Sequence, residues 1–170
     1  MGFIEVREDE IYLLTKNWAI ASKYQILGGQ PPNGTDRFPV IEIKSEVNTA
    51  KGSHSSYKPD LVLATSSLII LVECKPQFDP KDVAKLKEIS SSETRLFYLI
   101  KELRQRRSLE RREHGLSKLS DKDLIKRIRY CVSYSGDYSP ITDIYSLVFN
   151  TSGFKPDIFL GSIPIDKISD

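Results

Sequence analysis

The chain has 170 residues, 39% of them hydrophobic and 28% charged, which suits one globular domain spanning 1–170 and leaves little room for two. A formal net charge of +2 singles out no class of partner, and no apolar run approaches membrane-spanning length, so no membrane association is expected. Cys74 and Cys131 are too few for a disulfide framework or a zinc site, and the opening MGFIEVREDE lacks the basic and apolar regions of a secretory signal, so a reducing cytoplasm is the expected compartment.

In chain order, residues 8–26 carry Ile11, Leu14, Trp18 and Ala21 at helical spacing and predict an amphipathic helix. The Gly- and Pro-dense LGGQPPNGTDRFP predicts an irregular loop. VIEIKSEV alternates, so it predicts a strand with Ile41 and Ile43 inward and Glu42, Lys44 and Glu46 outward. NTAKGSHSSY is small and polar. After the apolar run of residues 58–75, Asp79 and Pro80 suit the cap and first turn of a helix over DPKDVAKLKEI. TRLFYLI predicts a strand, residues 101–113 a helix with few apolar positions that Gly115 can stop, and Ser120 with Asp123 a capping box before Leu124, Ile128 and Val132. The tail from Asp143 predicts two short strands around NTSG.

The run KPDLVLATSSLIILVECK carries the chemistry. Twelve uncharged residues separate Asp60 from Glu73, and Lys75 follows two positions later. DLVLAT and LIILVE are strand-like stretches of equal length around Ser66-Ser67, so a tight hairpin centred there pairs residues whose numbers sum to 133. Asp60 then opposes Glu73 on one side of the sheet, and strand alternation puts Lys75 on that side too. Opposed like charges are costly. Lys75 offsets one, and a divalent cation between the carboxylates offsets the rest; Mg²⁺ takes one or two carboxylates with water and phosphate oxygens filling its shell. The Cys74 carbonyl is placed to add a ligand. Such a metal polarises a phosphate and acidifies water, with Lys75 positioning the water or steadying developing charge. The constellation points to phosphodiester hydrolysis.

Pro59-Asp60, followed thirteen residues after the aspartate by Glu73-Cys74-Lys75, resembles the PD-(D/E)xK nuclease superfamily, which includes type II restriction enzymes and archaeal Holliday-junction resolvases. The wording KPDLVLATSSLIILVECK is most similar to the resolvase version. The resemblance implies an α/β, restriction-endonuclease-like fold, with a mixed sheet flanked by helices. It also implies Mg²⁺-dependent DNA cleavage with Mn²⁺ able to substitute, Asp60 and Glu73 as metal ligands, and Lys75 as the catalytic lysine. Enzymes of this kind commonly act as dimers, so a homodimer is expected. A restriction enzyme, a structure-specific resolvase and a non-catalytic nucleic-acid-binding protein of the same fold remain open.

The family often adds an acid from the first helix. Among Glu5, Glu8, Asp9 and Glu10, the stripe through Ile11, Leu14, Trp18 and Ala21 brings Glu10 nearest its edge, although a solvated first-turn glutamate reads equally well. Residues 101–130 hold eleven Lys/Arg against five Asp/Glu. Arg106, Arg107, Arg111 and Arg112 therefore fit either a phosphate-binding arm or a solvated helix with internal ion pairs. Lys51 and Lys58, around the GSHSS loop, are placed to contact DNA or simply to flank a connection. Glu42-x-Lys44 and Lys155-Pro156-Asp157 imitate halves of the motif, and His54 and His114 are lone polar-context residues.

Overall fold

A computed structural model describes residues 6–32, 34, 36–44, 56–110, 115–137, 143–150 and 155–169. The first helix, α1 (Glu8–Ala21), buries Ile11, Tyr12, Thr15, Trp18 and Ala19. It ends well before residue 26: Ser22 caps its C-terminus, and Lys23 adopts a left-handed φ of 66°. The chain turns there into a strand, β1 (Gln25–Gly29), where a helix end and a loop are predicted. Gly28 and Gly29 look like loop residues, yet their missing side chains make room for close neighbours. A Cβ on Gly28 would collide with Ile41, and one on Gly29 with the Tyr12 hydroxyl.

The predicted hairpin forms in the predicted register. β2 (Leu61–Ala64) pairs antiparallel with β3 (Ile69–Cys74) as Leu61–Val72, Val62–Leu71, Leu63–Ile70 and Ala64–Ile69, each summing to 133. Thr65 Oγ1 accepts from the Ser67 and Leu68 backbone N–H groups and closes the turn. Every residue of both strands is buried, with alternate side chains entering cores on opposite faces of the sheet. A slip of one residue would exchange those faces, so burial locks the register.

Beyond β3, Asp79 accepts from the Lys81 N–H and Pro80 opens α2 (Pro80–Ser90), as expected. TRLFYLI is not a strand. Ser92 caps α3 (Glu93–Gln105), whose buried Leu96, Leu99, Ile100 and Leu103 recur at helical spacing. The β-propensity of Phe97 and Tyr98 yields to that stripe. Ser120 does cap a helix, its hydroxyl accepting from the Asp123 N–H, but α4 (Asp121–Ile125) is one turn long, and Ile128 and Val132 belong to β4 (Ile128–Ser135). The tail forms β5 (Tyr145–Phe149), β6 (Asp157–Leu160) and β7 (Ile163–Ile165), one strand more than predicted. Of VIEIKSEV, Ile41 and Ile43 are buried as expected, but only an isolated bridge between Ile43 and Tyr57 forms; residues 45–47 lie outside the described set.

The result is an α/β architecture with a seven-stranded mixed sheet in the order β1 to β7. The strands β1–β2–β3 are antiparallel, β3–β4–β5 parallel, and β5–β6–β7 antiparallel again. α1 packs over one face with Ile168, and α2, α3 and α4 over the other. Because β3 runs parallel to β4, the C-terminal ends of both strands reach one end of the sheet, together with the start of β2. Asp60, Glu73 and Lys75 lie at that end.

Candidate active site

Asp60 sits just before β2 and Glu73 near the end of β3, one step beyond the Leu61–Val72 pair. Their carboxyl groups share a hydrogen bond. Each is further fixed by a neighbour from another segment: Asp60 by the end of β3, and Glu73 by Tyr57 of the segment that leads into β2. The Cys74 backbone N–H donates to Asp60 Oδ2 at 2.8 Å, and the Tyr57 hydroxyl donates to Glu73 Oε1. Tyr57 is held by the two backbone bonds of its bridge to Ile43. Glu73 is 3% exposed, so its carboxyl is set inside the protein rather than at a solvated hairpin end.

Burial shapes the electrostatics. It pushes the Glu73 carboxyl well above the usual range, and the adjoining charge and hydrogen bond of Asp60 push it further. Asp60 is also raised by burial, although its hydrogen bond with Glu73 and then the Cys74 N–H pull it back. The raised pair therefore favours a proton between the buried Glu73 and the half-buried Asp60 unless something more strongly positive takes its place.

Lys75 leaves the end of β3 at the rim, its backbone N–H donating to the Ser133 carbonyl at 2.9 Å. Its Nζ lies 3.5 Å from Glu8 Oε1. Burial alone would lower this ammonium's pKa; Asp82, Glu8 and Asp60 more than offset that and raise it, so Lys75 is a firm cation. The acid that α1 brings to the site is thus Glu8 and not Glu10. Glu10 pairs with Arg7 at 3.0 Å on the exposed side of the helix. The buried face of α1 runs through Ile11, Thr15 and Trp18, with Tyr12 and Ala19 beside them, and Glu8 continues it one turn back. A stripe drawn through Leu14 and Ala21 turns the helix the wrong way, since Leu14 is half-buried and Ala21 exposed.

Three further groups join the site. Tyr57 is one. Asp82, in the first turn of α2, is buried, and burial lifts its carboxyl to about 6 against the opposing pull of Lys75 and Lys85. Lys85, one turn on, lies 5.4 Å over the Tyr57 ring and favours the charged form of Glu73. Asp82 was legible: Asp79 and Pro80 fix the phase of α2, and Asp82 shares the buried face with Leu86 and Ile89. An acid in an apolar stripe signals a site.

The predicted nucleic-acid contacts fare unevenly. Lys58 is exposed immediately before Pro59-Asp60. Arg106 and Arg107 are exposed at the end of α3; Arg106 Nε donates to Glu102 Oε1 at 2.7 Å, and Arg107 takes a left-handed φ of 55° in the following turn. Neighbouring Arg104 is committed internally, to Asp121 Oδ1 at 2.7 Å and to the Leu119 carbonyl at 2.6 Å, which ties α3 to the start of α4. Lys51, Arg111, Arg112, Glu46, His54 and His114 lie outside the described residues.

Among the described residues, no three His, Cys, Asp or Glu side chains gather as a ready metal-binding group. The donor set that does fit a hard cation is smaller. It comprises the two carboxyls of Asp60 and Glu73 and the Cys74 carbonyl, which in extended backbone leaves the strand on the same edge as the N–H that reaches Asp60. Mg²⁺ requires no more from a protein, since it keeps several waters. The chain matches no known protein family, no curated protein and no solved structure. Among the described residues, no helix is long and apolar enough to cross a membrane.

Proposed function

We propose that this chain is a Mg²⁺-dependent DNA endonuclease of restriction-endonuclease-like fold, an endodeoxyribonuclease that hydrolyses phosphodiester bonds. The observation that carries the proposal is the buried Glu73 carboxyl hydrogen-bonded to the half-buried Asp60, with Lys75 held by Glu8 at the rim. Two buried carboxyls held together against their own repulsion are an unfavourable way to end a hairpin, but a favourable way to hold a cation. The mixed sheet with helices on both faces supports the same reading.

In this reading Asp60, Glu73 and the Cys74 carbonyl would hold Mg²⁺, or Mn²⁺ in its place. The bound ion supplies Lewis-acid polarisation of the scissile phosphate and an acidified water. The chain's own groups do the rest. Tyr57 and the Cys74 N–H aim the two carboxyls, so both would already be oriented to hold a cation. Lys75, kept positive by Asp82 and Glu8, places its ammonium where negative charge grows on the phosphate oxygens. Glu8 holds that ammonium at the rim, within reach of substrate. Cutting both strands calls for two such sites, which a homodimer would provide.

The test is incubation of the protein with plasmid, linear duplex and four-way-junction DNA, each with Mg²⁺ and with chelator. Metal-dependent cleavage is expected. Preference for the junction identifies a resolvase, and cutting of plasmid or linear duplex a restriction-type enzyme. Binding without cleavage under any divalent metal refutes the nuclease and leaves a binding protein.

A further inference from the structure

Away from the carboxylate pair, the outer edge of β1 borders a cavity of about 370 Å³, near the lower limit of pocket sizes that take small ligands. Three separate segments wall it: residues 25–27 of β1, residues 37–39, and the turn after α3 with Arg106 and Ser108. Among its described lining residues the charged ones are Arg37 and Arg106, and none carries a carboxylate.

Both guanidiniums are braced. Arg37 lies 5.0 Å over the Phe38 ring, and Arg106 is steadied by its 2.7 Å bond from Nε to Glu102. That bond uses one of five N–H donors. Flat guanidiniums held in this way match the oxygens of a phosphate two at a time, which is why arginine serves where such groups are gripped. Glu102 balances part of the Arg106 charge, so the two exposed guanidiniums, from segments about seventy residues apart, leave the described lining with a net positive charge that favours an anion.

The cavity also stands in a defined relation to the carboxylate pair. The Pro39 carbonyl accepts from the Gly29 N–H at 3.0 Å, and the Gln30 N–H donates to the Asp60 carbonyl at 2.9 Å, so the 37–39 wall continues into the strand that carries Asp60. Two to four residues along β1 at ~3.4 Å each, and two strand spacings across at ~4.8 Å, put the cavity ~15 Å from Glu73. At an axial rise of 3.4 Å per nucleotide that is roughly four nucleotides of a duplex strand.

We infer that the cavity between Arg37 and Arg106 is a phosphate subsite. Its phosphate comes either from the backbone of bound DNA, some four nucleotides from the bond that is cut, or from a free phosphate or mononucleotide. The first source rests on the nuclease reading; the second does not.

The experiment compares wild type with Arg37→Gln, Arg106→Gln, the double Gln variant and the double Lys variant, each checked by a circular-dichroism melt. Affinity for labelled duplex DNA is measured by fluorescence anisotropy in chelator across a salt series. Calorimetric titration with inorganic phosphate and with deoxyadenosine monophosphate forms the second arm. For DNA phosphate, each Gln change lowers the slope of log affinity against log salt by about 0.9, and the double Lys variant keeps the wild-type slope. For a free anion, the slope is unchanged, but wild type takes up inorganic phosphate or the mononucleotide and the double Gln variant does not. An unchanged slope together with no uptake of either small anion overturns the proposal. No arm requires cleavage, so a chain that binds but never cuts DNA still reports on the subsite. A chain that cuts DNA with an unchanged slope and no anion uptake loses the subsite alone.

Discussion

Asp60→Asn tests the site at its energetic centre. The asparagine keeps the shape: its carbonyl oxygen can accept from the Cys74 N–H, and its amide can donate to Glu73, reproducing both contacts of the aspartate. What changes is charge. Two carboxylates about 4 Å apart at an effective dielectric near 20 repel by ~4 kcal/mol, equivalent to ~3 pKa units. Removing Asp60 therefore lets Glu73 ionise closer to its ordinary 4.5, subject to the burial that remains. The sign follows from linkage. An acid whose pKa is raised on folding binds more protons folded than unfolded, so wild type without metal loses stability as pH rises from 4.5 toward the folded value. The Asn variant escapes much of that loss. At pH 8 in chelator it should be more stable than wild type by roughly 1–3 kcal/mol, a rise of ~2–4 °C in melting temperature per kcal/mol, and at pH 5 the gap should close. With Mg²⁺ the order reverses, since bound metal stabilises wild type by mass action and the variant has lost a ligand. Differential scanning calorimetry at both pH values, with Mg²⁺ and with chelator, reads all four states. A variant that is less stable than wild type in chelator at pH 8, or that gains as much as wild type from Mg²⁺, refutes the carboxylate-pair argument.

Two other perturbations test separate parts of the structure. Lys75→Ala should abolish cleavage in a time course while calorimetric Mg²⁺ binding survives or tightens, because Lys75 is no ligand and its charge opposes the cation; wild-type cleavage rates would remove it from the mechanism. Gly29→Ala should destabilise by about 1–3 kcal/mol through collision with the Tyr12 hydroxyl, and Tyr12→Phe in the same chain should recover part of that loss in a double-mutant cycle of urea melts; strict additivity would show that the contact is not the cause.

The hairpin was legible because its signals agree. Equal strand lengths, a polar two-residue centre and apolar stretches on both sides of it admit one register, and burial on both faces then enforces it. The Asp79 and Ser120 caps were legible for a similar reason, since a cap is a local hydrogen bond that needs no tertiary context. Misreadings arose where a distant partner decides. Gly28-Gly29 reads as a loop until Ile41 and Tyr12 close on it. TRLFYLI reads as a strand in a seven-residue window, and only the continuation to Leu103 reveals the stripe that makes it helical. Ile128 and Val132 sit at helical spacing, yet the parallel edge of β3 claims them for the sheet. At the site, the members carried by the hairpin were readable, whereas Glu8 depended on the exact rotation of α1. Tyr57 carried no motif of its own, because only its bridge to Ile43 aims it at Glu73.

The charges around the hairpin end explain why these particular elements meet there. Among the described residues, Asp60, Glu73, Asp82 and Glu8 face Lys75 and Lys85, so fully ionised this set carries a formal excess of two negative charges. Without metal the excess is relieved by protons, one held by the Asp60–Glu73 pair and another taken up by Asp82 as pH falls through about 6. A structural cluster would more simply balance its acids with arginines or replace them by apolar residues, which well-packed cores tolerate at little cost. Here Lys75 and Lys85 reach in from the rim and compensate the innermost pair only in part, since both carboxyls stay raised. The deficit equals the charge of one divalent cation, and it is greatest at the two carboxyls that the hairpin register, the Tyr57 hydroxyl and the Cys74 N–H hold in place. In the proposed nuclease the sheet would supply the rigidity, the Asp60–Glu73 pair the affinity for a small hard ion, and the lysine at the rim a positive charge for an approaching phosphate.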